Sequence, residues 1–151
     1  MIAEKRLFNT LNEMSKKEEF VEWFEEQGFR NFSAREFTHY FERELNTYPP
    51  KSKWNNIVPT LRILDDLRDE IKMPVRVTSS YRSAKYNSNC GGAPKSLHKE
   101  FKALDFQVSG VKPKWLFNRL SRMRDAGKFE GGLGLYNTFV HVDTRGYNAT
   151  W

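Results

Sequence analysis

The stretch SLHKEFKALDF, residues 96–106, sets His98 and Asp105 seven positions apart and puts the aspartate inside what otherwise reads as an apolar strand, KALDFQV (102–108). Core strands seldom keep a carboxylate unless something pairs with it. A basic side chain such as Lys102 or Arg145, a backbone turn or a metal ion would each serve. The chain has three histidines, and two of them, His98 and His141, fall at or just before predicted strands. The third, His39, lies in helical sequence far from both.

Outward from this stretch the pattern is mixed. Upstream, VRVTSSYR (75–82) alternates like a strand and ends in small polar residues, and SNCGGAPKS (88–96) is a glycine- and proline-bearing loop. Downstream, KPKWLFNRLSRMRDAG (112–127) predicts a helix that opens on Pro113 and stops at Gly127. GGLGLY (131–136) and TFVHVDTR (138–145) predict two short strands joined near Asn137. The N-terminal part is helical: apolar spacing predicts helices over 3–14 and 17–27, the second stopped by Gly28. Ser33 and Glu36 have capping-box spacing, NTYPPKSK (46–53) reads as a loop, and Ile57, Leu61, Leu64 and Leu67 mark a helix over 54–72. The class is α+β, a helical N-terminal part followed by a small, mainly antiparallel sheet.

Composition narrows the partners. The net charge of the 151 residues is +6, unevenly spread: residues 1–72 carry 12 Lys+Arg against 14 Asp+Glu, net −2, and residues 73–151 carry 13 against 5, net +8. The C-terminal half suits an anionic polymer. Nucleic acid is not expected, because no recognition motif accompanies the charge, and GGLGLY lacks the Gly-Lys-Ser/Thr ending of a nucleotide loop. The single cysteine, Cys90, excludes an intrachain disulfide and a cysteine zinc finger. No apolar run is long enough to span a membrane, and the opening residues carry no apolar core of a signal peptide.

His98, Asp105 and His141 form a His, Asp, His set of the kind zinc accepts, with one coordination position left for water. Magnesium or calcium would ask for more carboxylates than this half of the chain offers. His141 and Asp143 share a strand face, so Asp143 is expected beside any ion that His141 binds.

Several ordered motifs add a family likeness. SLHKEFKALDF resembles the signature of the zinc D-Ala-D-Ala carboxypeptidase family: Ser, any residue, His, six residues including a small one, then Asp. VRVTSSYRSAKYN (75–87) resembles that family's strand and turn ending in Tyr-Arg-Ser with a nearby Asn, and GGAPKSLH (91–98) its glycine-rich lead into the histidine. GGLGLYNTFVHVDTRG (131–146) is similar to the closing hairpin, and NFSAREF (31–37) resembles the opening of small, phage-type members. The likeness covers about residues 31–147 and divides the chain into a helical extension, 1–30, and a zinc peptidase-like domain, 31–151, in one compact unit.

The resemblance implies a hedgehog/D-Ala-D-Ala peptidase-like fold and one Zn2+ held by His98, Asp105 and His141. It implies that Arg82 binds the substrate's carbonyl or carboxylate and that Ser96 lies in the substrate pocket. Tyr136, as an aromatic residue, is a candidate either to line the substrate groove or to pack against the sheet. Many relatives carry an acidic base three residues before the last histidine, where this chain has Thr138. Asp143 is then expected as the catalytic base; in the other register of the strand, Asp143 is the third ligand and His141 the acid/base. Relatives often have glycine where this chain has Phe101. The implied activity is hydrolysis of peptidoglycan stem peptides by a phage endolysin or virion-associated enzyme. Such a protein is made in the cytoplasm and acts on the wall or in the periplasm after release, or is carried in a virion. A non-catalytic virion or wall-binding protein that keeps the fold is the alternative.

Overall fold

The computed structural model describes residues 16–151, so the helix expected over 3–14 lies outside the described residues. Helix α1 (16–26) is followed by α2 (Arg35–Phe41), the single turn α3 (Lys51–Trp54), and α4 (Ile57–Ile71). Then come β1 (Arg76–Ser79), α5 (Ala84–Asn89), β2 (Ala103–Gln107), α6 (Pro113–Asp125), β3 (Gly132–Leu135), β4 (Val140–Asp143) and β5 (Ala149–Thr150). The strands form one sheet in the order β1-β2-β4-β3-β5. Every pairing is antiparallel except β3 with β5.

Local chemistry accounts for most element ends. Gly28, at φ +71°, turns the chain out of α1, and Gly127, at φ +80°, follows α6. The Glu36 carboxylate accepts from the Ser33 N–H at 2.8 Å, half of the expected capping box. Three elements were not legible as sequence patterns, among them α3, most of which falls in the expected 46–53 loop. Helix α5 begins where Ser83 Oγ accepts the Tyr86 N–H at 3.2 Å, and β5 has two residues. The expected 54–72 helix is broken at Asn55–Asn56, where Asn56 Nδ2 instead donates to the Glu100 carbonyl at 2.9 Å.

One apolar core joins both halves. Leu61, Leu64 and Leu67 of α4 are fully buried with Leu104 and Phe106 of β2 and Val140 and Val142 of β4. Phe20 of α1 packs edge-on to Phe41 at 5.1 Å and to Trp54 at 5.3 Å. Phe101 stands at φ +55°, a left-handed conformation that glycine adopts freely and a bulky residue does not. Its ring, fully buried against Phe41 at 5.8 Å and Tyr81 at 6.0 Å, offsets that strain by apolar burial. Among the described residues no helix is long and apolar enough to cross a membrane.

Register positions the polar residues. On β2, Asp105 stands directly opposite His141 of β4 and, across a bulge in β1, opposite Ser79. A carboxylate and an imidazole are thereby cross-strand neighbours at the sheet's centre, and the 96–101 loop delivers His98 to the same face.

Candidate metal centre

His98 reaches the site with its backbone and its outer nitrogen both held. Its carbonyl accepts the Arg82 N–H at 3.1 Å, and its own N–H donates to Ser96 Oγ at 3.3 Å. Nδ1 lies 2.8 Å from the Ser80 carbonyl, which can only accept, so Nδ1 carries the proton. In the neutral, metal-ready ring Nε2 then turns a lone pair to Asp105 Oδ1, 3.2 Å away.

His141 is set in the opposite sense. Nε2 donates to Asp143 Oδ2 at 2.8 Å, and Nδ1 faces Asp105 Oδ1 at 2.9 Å. Two imidazole lone pairs and a carboxylate oxygen thus converge on one point, in residues at most 8% exposed. Acceptors crowded together in this way repel unless a proton or a cation lies between them. The 2.9 and 3.2 Å separations approach the ligand–ligand edge, about 3.3 Å, of a tetrahedral zinc site. The donor set and its spacing fit the ion.

Charge follows the same geometry. Where no cation lies between them, a proton must: burial pushes the Asp105 carboxyl up, but hydrogen bonds donated by His141 and His98 outweigh it and hold the group well below the usual carboxylate range. In that metal-free state burial would lower His141, yet its bonds to Asp105 and Asp143 raise it. Asp143 is depressed likewise: burial acts upward, and His141, Arg145 and the Gly132 N–H act downward more strongly.

Asp143, expected as base or third ligand, has its side chain fully buried and bonded to His141 Nε2. Arg145 grips it with Nε on Oδ1 at 2.9 Å and Nη2 on Oδ2 at 2.8 Å. The Gly132 N–H adds a bond to Oδ1 at 2.9 Å. Both oxygens are engaged away from the converging lone pairs. Thr138 lies elsewhere too, in a hollow beside Phe106 and Leu116.

The three donors open into a cavity of about 720 Å3. Arg82 stands on one side, with Nε on Ser79 Oγ at 3.0 Å and Nη2 3.6 Å from Asp105 Oδ2. Gly92 lets it lie there, since a Cβ would sit 2.1 Å from Asn87 Oδ1 and 3.1 Å from Arg82 Nη1. Ser96 and Tyr136, both expected near substrate, line the cavity, as do Lys95, Lys102, Arg145 and Trp151. Asp105 is the one carboxylate among the described lining residues. Neither Lys102 nor Arg145 pairs with Asp105; Arg145 belongs to Asp143 instead. Gly132's contribution and the choice of Asp143 as Arg145's partner were not anticipated; the signal available was Asp143 two residues after His141 on one strand face.

The α+β fold thus brings two histidines and an aspartate, a set that could hold a metal ion, together beneath an open cationic cleft. The model of the family described as Peptidase M15 matches residues 30–143, and the chain belongs to that family. It stands among metallopeptidases that are generally zinc-dependent and act on peptidoglycan. No curated protein and no solved structure matches the chain.

Proposed function

We propose that the protein is a zinc peptidase that cuts peptidoglycan stem peptides at a D-Ala or L-Ala/D-Glu-type bond, acting as a phage endolysin or virion-associated wall hydrolase. The observation that carries this reading is the meeting of His98 Nε2, Asp105 Oδ1 and His141 Nδ1 at the floor of a cleft flanked by Arg82. Zinc held by these three would lower the pKa of its water towards about 7 and polarise the scissile carbonyl. Arg82 offers a fixed fork of donors to the substrate's carboxylate or developing oxyanion. Ser96 and Tyr136 line the cleft that the substrate would enter. Asp143 acts through His141: accepting the Nε2 proton, it keeps Nδ1 free as a ligand and aims the ring. With residues 73–151 at +8, the cleft side is drawn to an anionic wall. The protein reaches that wall after release from the cytoplasm, or as part of a virion.

The second reading, a non-catalytic virion or wall-binding protein, draws support from the lining itself, which holds no carboxylate besides Asp105 among the described residues. One experiment separates the two. Purified protein with zinc, incubated with peptidoglycan, releases soluble peptides whose masses identify the bond; a chelator stops the release and added zinc restores it. A protein that binds the wall equally well without metal and releases nothing is the non-catalytic one.

A further inference from the structure

Five large apolar side chains stand exposed on the described molecule, and three of them, Tyr136, Tyr147 and Trp151, gather on one rim of the cleft. Exposed aromatic groups gathered beside a site mark a binding surface rather than chance. This rim is also built in advance. Trp151 is tied to β3 through its N–H to the Leu133 carbonyl at 3.1 Å and its carbonyl to the Leu135 N–H at 2.8 Å. Its indole Nε1 donates to Tyr136 Oη at 2.9 Å, leaving that hydroxyl's proton free. Tyr136 stacks on Phe139 with centroids 4.4 Å apart, and Arg145 lies against Trp151 at 4.9 Å and Tyr147 at 5.7 Å. Even so, Tyr136 keeps 41%, Trp151 45% and Tyr147 63% of its surface open.

The rest of the lining adds cations, Arg82, Lys95 and Lys102. A ligand matching both groups is anionic along one part and has flat, weakly polar faces edged by hydrogen-bonding groups along another. Tyr and Trp rings have that second character, an apolar face with a polar tip. Sugar rings complement it, with C–H faces outward and hydroxyl and amide groups at the edge, whereas stem-peptide carboxylates complement the cations. We infer that the Tyr136–Tyr147–Trp151 rim is a glycan subsite, which stacks on an N-acetylated sugar of the wall strand while the attached peptide enters over the metal centre. The inference rests on the peptidoglycan reading and extends it: the preferred substrate is the stem peptide still joined to its glycan.

The test separates sugar recognition from hydrolysis. Calorimetric titration of the zinc-loaded protein with the neutral β-1,4-linked disaccharide of N-acetylglucosamine, which has no carboxylate for the cations, gives saturable millimolar binding. Tyr147→Ala and Trp151→Ala each weaken it about five- to tenfold, whereas Trp151→Phe, which keeps a stacking face, retains most of it. In parallel, kcat/KM for a disaccharide-linked pentapeptide exceeds that for the free pentapeptide, and both alanine variants reduce this ratio. Absence of disaccharide binding, or a substrate ratio the variants leave unmoved while thermal melting confirms that they fold, overturns the subsite. Hydrolysis of neither peptide by the wild-type protein overturns the peptidase reading instead, and the titration still decides the sugar question.

Discussion

Asp143 Oδ2 lies 2.8 Å from His141 Nε2, and the same imidazole turns Nδ1 to Asp105 at 2.9 Å, so one ring joins a carboxylate in the cleft to another sealed behind it. Such an arrangement fixes the tautomer and raises the basicity of the facing nitrogen. Asp143→Asn removes the charge while nearly keeping the shape. Zinc affinity falls about 10- to 100-fold, and activity returns in large part when zinc is supplied in excess. Were Asp143 the proton-taking base, activity would stay low with the site saturated. Zinc titration and rates measured at several zinc concentrations decide it.

Because the three donors repel without a cation, metal and fold are coupled. At a free zinc concentration about a thousand times Kd, the native state gains about 4 kcal/mol, seen as a raised Tm. A chelator removes the gain. His98→Ala and Asp105→Ala show little Tm response to zinc and lose hydrolysis. A normal rate in either variant would exclude these residues as ligands.

Asp105 itself was readable in the sequence, since a carboxylate in an apolar strand advertises a partner, and His98 and His141 were the available histidines. Their convergence depends on pairing Asp105 with His141 across β2 and β4, which one-dimensional spacing does not encode. The setting of Asp143 was less legible for a related reason. Alternation puts it on the face of His141, but alternation is silent on whether a side chain stands beside the ring or behind it. Burial under Arg145 and the Gly132 N–H decided that, and both contacts lie outside the local pattern. Phe101 was noticed as a departure from glycine, and its positive φ supplies the reason glycine suits the position. Helix α5 and strand β5 went unseen because elements of six and two residues are too short to display a period.

Arg82 presents a fork that lysine cannot imitate. Arg82→Lys keeps one charge at the rim, loses the bond to Ser79, and lowers kcat/KM about 10- to 100-fold through lost oxyanion or carboxylate contacts. Zinc affinity stays close to that of the wild type, because Arg82 supplies no donor atom to the centre. Parallel metal titration and steady-state kinetics check this; a matching loss of zinc would make Arg82 a support of the site rather than a substrate contact.

Gly132 is required by its neighbours rather than by its own dihedral angles. A Cβ there would meet Asp143 Oδ2 at 2.5 Å and Arg145 Nε at 2.9 Å. Those atoms cannot yield without breaking the bonds that aim His141, so Gly132→Ala costs about 1–3 kcal/mol and weakens zinc binding as well. Gly134→Ala meets the indole edge of Trp151 at 2.6 Å rather than Asp143, so it should disturb the aromatic rim first; because Trp151 packs on His141 at 5.1 Å, zinc affinity should fall too, but less than in Gly132→Ala. Denaturant melts and zinc titrations of the two variants separate these effects.

Far from the metal centre, Tyr48 Oη donates to Glu42 Oε1 at 2.6 Å, which gives the fold a pH dependence of its own. The Tyr48 bond lowers the Glu42 carboxyl below its usual 4.5, whereas burial, reinforced by the Glu42 bond, pushes the Tyr48 hydroxyl above 10.0. A depressed acid contributes above its unfolded pKa and loses that contribution as pH falls through the folded one; a raised phenol contributes below its unfolded pKa and loses it as pH rises through the folded one. The bond therefore supports the fold between about pH 4.5 and 10. Tyr48→Phe keeps the ring against Phe41, 5.2 Å away, and removes only the hydroxyl. The Glu42 side chain is 46% exposed, so the loss at neutral pH is about 1 kcal/mol or less. Urea melts of both proteins should differ most near pH 7 and converge as the acid limb protonates Glu42. A gap that stays constant down to pH 3 would assign the effect to packing instead of the charged hydrogen bond.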